Sequence, residues 1–361
     1  MTMLKDVKVL DLTRLLPGPY CTWILSELGA DVLKIEDPWE GDYARGTPLY
    51  DLINTGKKSL TINLKKDAGK KIFLELMLKS DVLVESFRPG VMDKLGLGYE
   101  TLKEYNEKII FCSISGYGQN GPYRDVPGHD INYMSISGLL GINRTAESPM
   151  IPGMPIADIG GGVFGALSIL AGLYKRKIDG TGEYIDVSMT DVVSSFFTIA
   201  YRGLINETLL SGSLPCYNAY KTKDAKFLSV GTVEAKFWNN FCLKMNRDDL
   251  IQRQYDTSAI EEIKGIFLEK TREEWMEIFK GEDAMVTPIY SPDEAFDDPQ
   301  TKYRKVFDRE REILSFPVEF SENKTEGGKK APEKGEDTSK ILKELGYEER
   351  NIENLKEDGV I

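Results

Sequence analysis

The first 118 residues alternate apolar runs with helix-forming stretches, and this alternation constrains the fold more than any other feature. The segment Pro17-Gly18-Pro19 separates the first apolar run from the first helix. Strands that alternate with helices of this length form a mostly parallel sheet covered on both faces. The predicted strands are 7–13, 30–36, 59–64, 81–87 and 108–118. We therefore predict an α/β chain with a Rossmann-like large domain. No GxGxxG motif follows the first strand, so the sequence gives only weak support for a dinucleotide-binding site.

The pattern changes after about residue 210. A hairpin with Lys223 and Asp224 at its turn is followed by three amphipathic helices, which predicts a small α+β domain at 215–300. Before it, 160–177 is an apolar helix rich in small residues. The polar stretch 315–339 is typical of an extended linker or surface loop, and the last predicted helix is 339–345.

Composition excludes several classes of protein. The net charge of −12, from 58 acidic and 46 basic residues, opposes nonspecific binding to nucleic acid or to an anionic membrane. The four scattered cysteines and one histidine offer no metal site of the usual spacing. No targeting signal is evident, and every apolar stretch falls short of a membrane span. We expect a cytoplasmic protein with reduced cysteines.

The single histidine, His129, and the aspartate that precedes a triple glycine, Asp158, are the first candidates for chemistry. Histidine has the ordinary pKa nearest neutrality, although a lone histidine can equally be structural. Asp158 stands where a helix should begin, so it could be an N-cap, a nucleophile or a general base. Backbone N–H groups at that helix start could hold an enolate oxygen. The loop with His129 follows a predicted strand, so both residues can share one sheet edge.

Basic residues near the predicted strand–helix connections are the second set of candidates. A polyanionic ligand such as coenzyme A would need cations for its phosphates. The alternative is that these residues are ordinary solvated surface charges. The residues are Arg14, Lys57, Lys58, Arg88 and Lys94.

A series of motifs in fixed order resembles the family III CoA-transferases, also called the CaiB/BaiF family. The resemblance covers about the first 190 residues and resumes weakly near the C-terminus. The motifs include VLDLTRLLPGPYCTWILSELGADVLKIEDP, VLVESFRPGVMDKLGLGYETL, SGYGQNGPY, GHDINY, IADIGGGVFGALSILAGL and TGEYIDVSMTD.

The resemblance implies two candidate activities. In the transferases of the family, the aspartate that Asp158 resembles forms covalent intermediates while CoA moves from an acyl-CoA to a carboxylic acid. In the α-methylacyl-CoA racemases, that aspartate and the histidine of GHDINY exchange the α-proton of a 2-methylacyl-CoA. His129 favours the racemase interpretation. Glu234, in VGTVEAKFW, matches a glutamate that hydrogen-bonds this histidine.

The resemblance also implies how the substrate is held. Asp130 and Tyr133, in the same motif as the histidine, would position the thioester or the imidazole. Coenzyme A would be part of the substrate, and neither a prosthetic group nor a metal would be needed. Asp37 stands where relatives often carry an arginine near the adenine, and Asp337 stands where they often carry a histidine.

The expected assembly is an interlocked homodimer, with each active site between one chain's large domain and the other chain's small domain. The large domain would take both termini. The predicted boundaries are 1–190 and 320–361 for the large domain, 215–300 for the small domain, and 191–214 and 301–319 for the linkers.

Overall fold

The computed structural model describes residues 3–145, 147–196, 210–308, 313–322 and 329–361. Its contacts divide the chain into two compact units. The first unit comprises Met1–Leu139, Ile151–Ser195 and Lys305–Ile361, and the second comprises Leu140–Met150 and Phe196–Arg304. The segment Leu140–Met150, which we predicted in the large domain, therefore belongs to the second unit. The C-terminal return begins at Lys305 rather than at residue 320.

The strands and helices take the following bounds. The strands are β1 Lys8–Leu12, β2 Asp31–Glu36, β3 Lys58–Thr61, β4 Val82–Glu85, β5 Ile110–Ser115, β6 Glu183–Ser188, β7 Tyr217–Lys221, β8 Phe227–Gly231, β9 Val286–Ile289, β10 Phe307–Asp308 and β11 Ile313–Leu314. The helices are α1 Pro17–Glu27, α2 Pro48–Ile53, α3 Asp67–Met77, α4 Val91–Lys94, α5 Tyr99–Tyr105, α6 Asp130–Ile136, α7 Leu139–Ile142, α8 Ile156–Asp179, α9 Met189–Ser195, α10 Ala235–Lys244, α11 Ala259–Phe267, α12 Arg272–Phe279, α13 Pro292–Asp297, α14 Pro299–Arg304, α15 Thr338–Glu344 and α16 Glu349–Glu357.

The first unit is built on a six-stranded sheet in the order β3-β2-β1-β4-β5-β6. Every pairing in it is parallel. All residues of β4 and β5 are buried, as expected for strands covered on both faces. The predicted α/β class with a parallel Rossmann-like sheet is therefore confirmed. The strand order reverses between β1 and β4, and such a switch point opens a crevice at the carboxyl ends of the strands.

The C-terminal segment completes the first unit. Ser59 N donates to the Asp337 carboxylate at 3.0 Å, and Thr61 N donates to Thr338 Oγ1 at 3.1 Å. Asp337 therefore ties α15 to β3. The last predicted helix is not the last one, because α16 follows Gly346 and buries Ile352 in the core. The short ladder of β10 and β11 lies where we predicted a linker.

Helix α8 has, at 24 residues, the length and composition of a membrane-spanning helix. The expectation that no apolar run reaches that length is wrong for this helix. Buried glycines on one side of α8 let it pack closely against neighbouring elements of the first unit. A Cβ on Gly162 would lie 2.7 Å from Pro17 O, and one on Gly165 would lie 2.9 Å from Ile114 Cδ1. A helix buried in a protein core can pass the same test of length and composition.

The second unit contains the antiparallel sheet β7-β8-β9. The predicted hairpin is confirmed: β7 pairs with β8, and Ala225 takes the left-handed conformation in the turn, with a φ of 62°. Aromatic side chains of α10, α11 and α12 cover one face of this sheet. The buried aromatic residues of this core are Tyr220, Trp238, Phe241, Phe267, Trp275 and Phe279.

Candidate active site

A cleft of about 720 Å³ opens at the carboxyl ends of the central strands of the first unit. The connections that follow β1, β2, β4 and β5 line it, together with Met189 at the start of α9. The start of α8 forms a further wall. This is the edge at which doubly wound sheets bind ligands, so topology alone makes the cleft the first place to look for chemistry.

His129 and Asp158 both line this cleft. His129 is exposed and occupies the N-cap position of α6, where its backbone N–H donates to Asn132 Oδ1 at 3.0 Å. Asp158 lies in the first turn of α8 and is partly buried. The structure thus brings the two candidates together, although 28 residues lie between them in the chain.

Tyr133 supports the loop that ends at His129. Its ring is buried, and its hydroxyl donates to Gly128 O. A Cβ on Gly116 would lie 2.3 Å from the ring, and one on Gly128 would lie 2.7 Å from it. Burial, together with the nearby charge of Asp158, raises the pKa of Tyr133 to about 12, so its hydroxyl keeps its proton at neutral pH. Tyr133 therefore lines the cleft as a neutral donor that fixes the His129 loop.

Burial raises the pKa of Asp158 from 3.8 to about 7, and the negative charge of Asp130 adds to the shift. Among the described residues, none donates a hydrogen bond to the Asp158 carboxyl group. Pro155, rather than Asp158, occupies the N-cap position of α8. The N-cap interpretation of Asp158 is therefore wrong, and Asp158 is a carboxyl group that can gain and lose a proton near neutral pH.

Asp130, which we expected to position the thioester or the imidazole, does not line the cleft. Its Oδ1 accepts hydrogen bonds from Ala157 N at 2.7 Å and from Asp158 N at 3.2 Å. These N–H groups are the ones we expected to hold an enolate oxygen, so that expectation fails for both of them. Asp130 is instead the side chain that satisfies the start of α8.

Arg14 and Arg88 line the cleft as predicted for phosphate-binding residues. The Arg14 guanidinium donates to the Tyr43 hydroxyl at 3.0 Å and lies 5.1 Å from the centre of the Tyr43 ring. Neither arginine forms a salt bridge with any residue that the structure describes. Two cations without carboxylate partners, in a chain of net charge −12, mark the rim of the cleft as suited to an anion.

The three predicted lysines lie outside the cleft. Lys57 is fully buried, and its ammonium group contacts Asp11 Oδ2 at 3.1 Å, Asn54 Oδ1 at 2.8 Å and Pro19 O at 3.0 Å. Lys58 is exposed and pairs with Asp31 at 2.8 Å. Lys94 is an exposed residue at the end of α4. Both interpretations of Lys57, as a phosphate ligand and as a solvated charge, are therefore wrong.

Arg124 and Tyr43 are among the cleft residues that reasoning from sequence missed. Arg124 lines the cleft, donates from Nε to Gln119 O at 2.9 Å and pairs with Asp125 at 2.8 Å. Tyr43 lines it opposite Phe87, with Arg14 between the two rings. An exposed aromatic residue in a loop gives little sequence signal. Arg124, five residues before His129 in the same loop, could have been noticed.

Glu234 belongs to the second unit, where it is exposed at the N-cap of α10. Its predicted hydrogen bond to His129 stays a prediction. The Asp37 carboxylate accepts from Trp39 N at 2.9 Å and from Glu40 N at 3.2 Å, which closes a turn. Within the described part of the chain, no cluster of three or more His, Cys, Asp or Glu side chains could hold a metal ion.

Comparison with known proteins identifies the family. Residues 4–338 match the model of CoA-transferase family III. Human alpha-methylacyl-CoA racemase is 34% identical over 379 residues, which cover 99% of this chain and 97% of the relative. Human succinyl-CoA:glutarate CoA-transferase is also 34% identical, over 393 residues that cover 99% of this chain and 90% of the relative. Sequence identity therefore does not separate the two activities.

Solved structures agree with this assignment. A CAIB/BAIF family protein from Brucella suis superimposes with a TM-score of 0.82 at 26% identity, over 94% of this chain and 98% of that one. A hypothetical protein from Mycobacterium tuberculosis superimposes with a TM-score of 0.85 at 26% identity, over 95% and 99% of the two chains. With the family model matching most of its length, this chain belongs to CoA-transferase family III.

Proposed function

We propose that this protein is a racemase or epimerase that exchanges the α-proton of a 2-methylacyl-CoA thioester. The observation that carries the proposal is the presence of His129 and Asp158 in one cleft. A thioester delocalises the charge of its α-carbanion onto oxygen, so that a base of ordinary strength can remove the α-proton. Inversion then needs a second group that returns a proton to the opposite face.

The protonation of Asp158 supports this division of work. A group that alternately gives and takes a proton works best when its pKa lies near the operating pH. Asp158, with its pKa raised to about 7 by burial and by Asp130, meets that condition, whereas an ordinary exposed aspartate would be a weak base and almost never protonated. His129 would serve one face of the α-carbon and Asp158 the other.

The alternative is a CoA-transferase in which Asp158 is a nucleophile and carries the acyl group and then CoA. The identity to succinyl-CoA:glutarate CoA-transferase equals the identity to the racemase, so sequence identity supports this alternative as well as the first. This mechanism gives His129 no necessary role. Arg14 and Arg88, which have no carboxylate partner among the described residues, suit the phosphates of CoA in either case.

Solvent deuterium exchange distinguishes the two activities. We expect deuterium at the α-position of 2-methylacyl-CoA esters with no acyl acceptor present, and a loss of at least ~100-fold in His129→Ala, the usual contribution of a general base. Ser135→Ala is the matched control, because Ser135 is an exposed residue of α6 outside the cleft. No exchange across a panel of such esters would falsify the racemase proposal. Hydroxylamine trapping of an Asp158 acyl adduct, with a need for a carboxylic acid acceptor, would establish the transferase.

The proposal extends to two further features, the role of Glu234 and the oligomeric state of the protein. We propose that Glu234 orients the His129 imidazole, and that the functional species is the homodimer expected from the family resemblance. Glu234→Gln should then lower the exchange rate without changing the fold. Light scattering should give twice the mass of 40.7 kDa.

A further inference from the structure

We propose that Asp130 is a positioning residue for Asp158: it joins α6 to the start of α8 and supplies the negative charge that decides which carboxyl group of the site holds a proton. The inference rests on the proposed proton exchange, because it assigns a role within that reaction. It takes the place of the expectation that Asp130 positions the thioester or the imidazole.

The geometry places Asp130 between the two proton-transfer residues. Asp130 follows His129 directly in the chain and opens α6. Its carboxylate accepts from Ala157 N at 2.7 Å and from the backbone N–H of Asp158 itself at 3.2 Å. One short side chain therefore connects the backbone next to the histidine to the backbone of the aspartate. A shift of Asp130 would move both groups relative to each other.

The charges of the pair are arranged asymmetrically. Two backbone N–H donors at the start of α8 stabilise negative charge on Asp130. The Asp158 carboxyl group is partly buried and receives no hydrogen bond from any described residue. Two neighbouring carboxyl groups resist being ionised together, so the proton goes to the one that is less well stabilised, which is Asp158.

Other charged groups lie on the elements around α8. The elements packed on α8, which are α1, α6, α9, β5 and β6, carry Tyr20, Cys21, Tyr133, Asp191, Cys112 and Asp186. The cleft loops carry Arg14, Tyr43, Arg88, Tyr117, Arg124, Asp125 and His129. Burial and the charge of Asp130 are the two causes of the raised pKa of Asp158. The Arg88 charge acts on Tyr133, and the Asp191 charge acts on Asp186. Asp130 is thus the charge to change.

The test compares Asp130→Asn with Asp130→Ala. Asparagine keeps a side-chain oxygen for both backbone N–H groups but loses the charge, whereas alanine loses both. We expect Asp130→Asn to stay folded and to move the limb of the pH–exchange profile that belongs to Asp158 toward lower pH, by about half a unit or more. We expect Asp130→Ala to lose thermal stability and exchange rate as well. Asp191→Asn removes a carboxylate from α9 and should leave that limb in place.

A second readout does not depend on activity. The pH dependence of unfolding, compared between each protein and its Asp158→Asn counterpart, reports the titration of Asp158. Because the folded pKa is raised, the stabilising contribution of Asp158 is present below its unfolded pKa and is lost as pH rises through about 7. That loss should occur at lower pH in Asp130→Asn. An unmoved titration overturns the role of Asp130, whereas a moved titration without any α-proton exchange in the parent protein overturns only the proposed function.

Discussion

Two groups of basic residues in the first unit have the same appearance in the sequence and opposite roles in the structure. Lys57 is buried away from the cleft lining, and all its donors are used by Asp11, Asn54 and Pro19. Arg14 and Arg88 lie at the cleft and form no salt bridge with any described residue. The difference teaches that a cation is available to a ligand only if its hydrogen-bonding capacity is not already satisfied within the protein.

A second buried lysine, Lys34, helps to shape the cleft. Lys34 is fully buried, donates to Thr13 O at 2.9 Å and pairs with Asp42 at 2.8 Å. Asp42 in turn accepts from Leu15 N at 2.9 Å. Leu15 lines the cleft with a φ of 67°, a left-handed conformation that costs a non-glycine residue about 1–2 kcal/mol. The buried Lys34–Asp42 ion pair therefore holds the strained backbone of Leu15 in place. Leu15 follows Arg14 directly, so this pair also fixes the backbone next to a cation of the cleft.

The largest effect on stability should come from breaking the buried ion pair of Lys57 and Asp11. Burial alone would raise the pKa of Asp11, but the charges of Lys57 and Lys34 outweigh it and hold that pKa well below its usual range. In Lys57→Met the Asp11 carboxylate loses its nearest cation, and we expect a loss of about 3–5 kcal/mol in the free energy of unfolding. Chemical denaturation measures this loss. Asp11→Asn/Lys57→Met, which leaves no unpaired charge, should recover part of it, and a single variant as stable as the parent would contradict the assignment.

The next effect should be on binding rather than on stability. Arg88→Ala removes a cation that forms no salt bridge with a described residue, so we expect the free energy of unfolding to change by no more than about 0.5 kcal/mol. If Arg88 binds a phosphate of CoA, losing a charged hydrogen bond of about 1.5–3 kcal/mol raises KM for the acyl-CoA roughly 10- to 100-fold. Lys94→Ala, a few residues further along and outside the cleft, is the control and should leave KM unchanged. Equal KM values for both variants would remove Arg88 from the binding site.

The sequence predicted the parallel sheet and the position of the cleft, because apolar strand runs and strand–helix alternation are local signals. Helix α16 was missed because only Ile352 and Leu355 face the core among polar neighbours. The roles of Lys57 and Asp130 could not be predicted, since each depends on contacts with residues far along the chain: Asp11 for Lys57, Ala157 and Asp158 for Asp130. Side-chain burial and hydrogen-bond saturation are properties of the folded chain.

The smallest effect is expected for Lys58, which adjoins the buried Lys57 in the chain but has a partly exposed side chain. It therefore sharpens the comparison between paired and unpaired cations. Its side chain and that of Asp31 are each 44% exposed, and they pair at 2.8 Å across β3 and β2. An exposed pair contributes about 0–1 kcal/mol and is screened by salt, so Lys58→Ala should lower stability by no more than that and less still in 1 M salt. We expect an unchanged KM, because Lys58 does not line the cleft. If Lys58→Ala raised KM as much as Arg88→Ala, then a cation already paired within the protein would also bind the ligand. Saturation of a cation's hydrogen bonds within the protein would then not explain why the two groups differ.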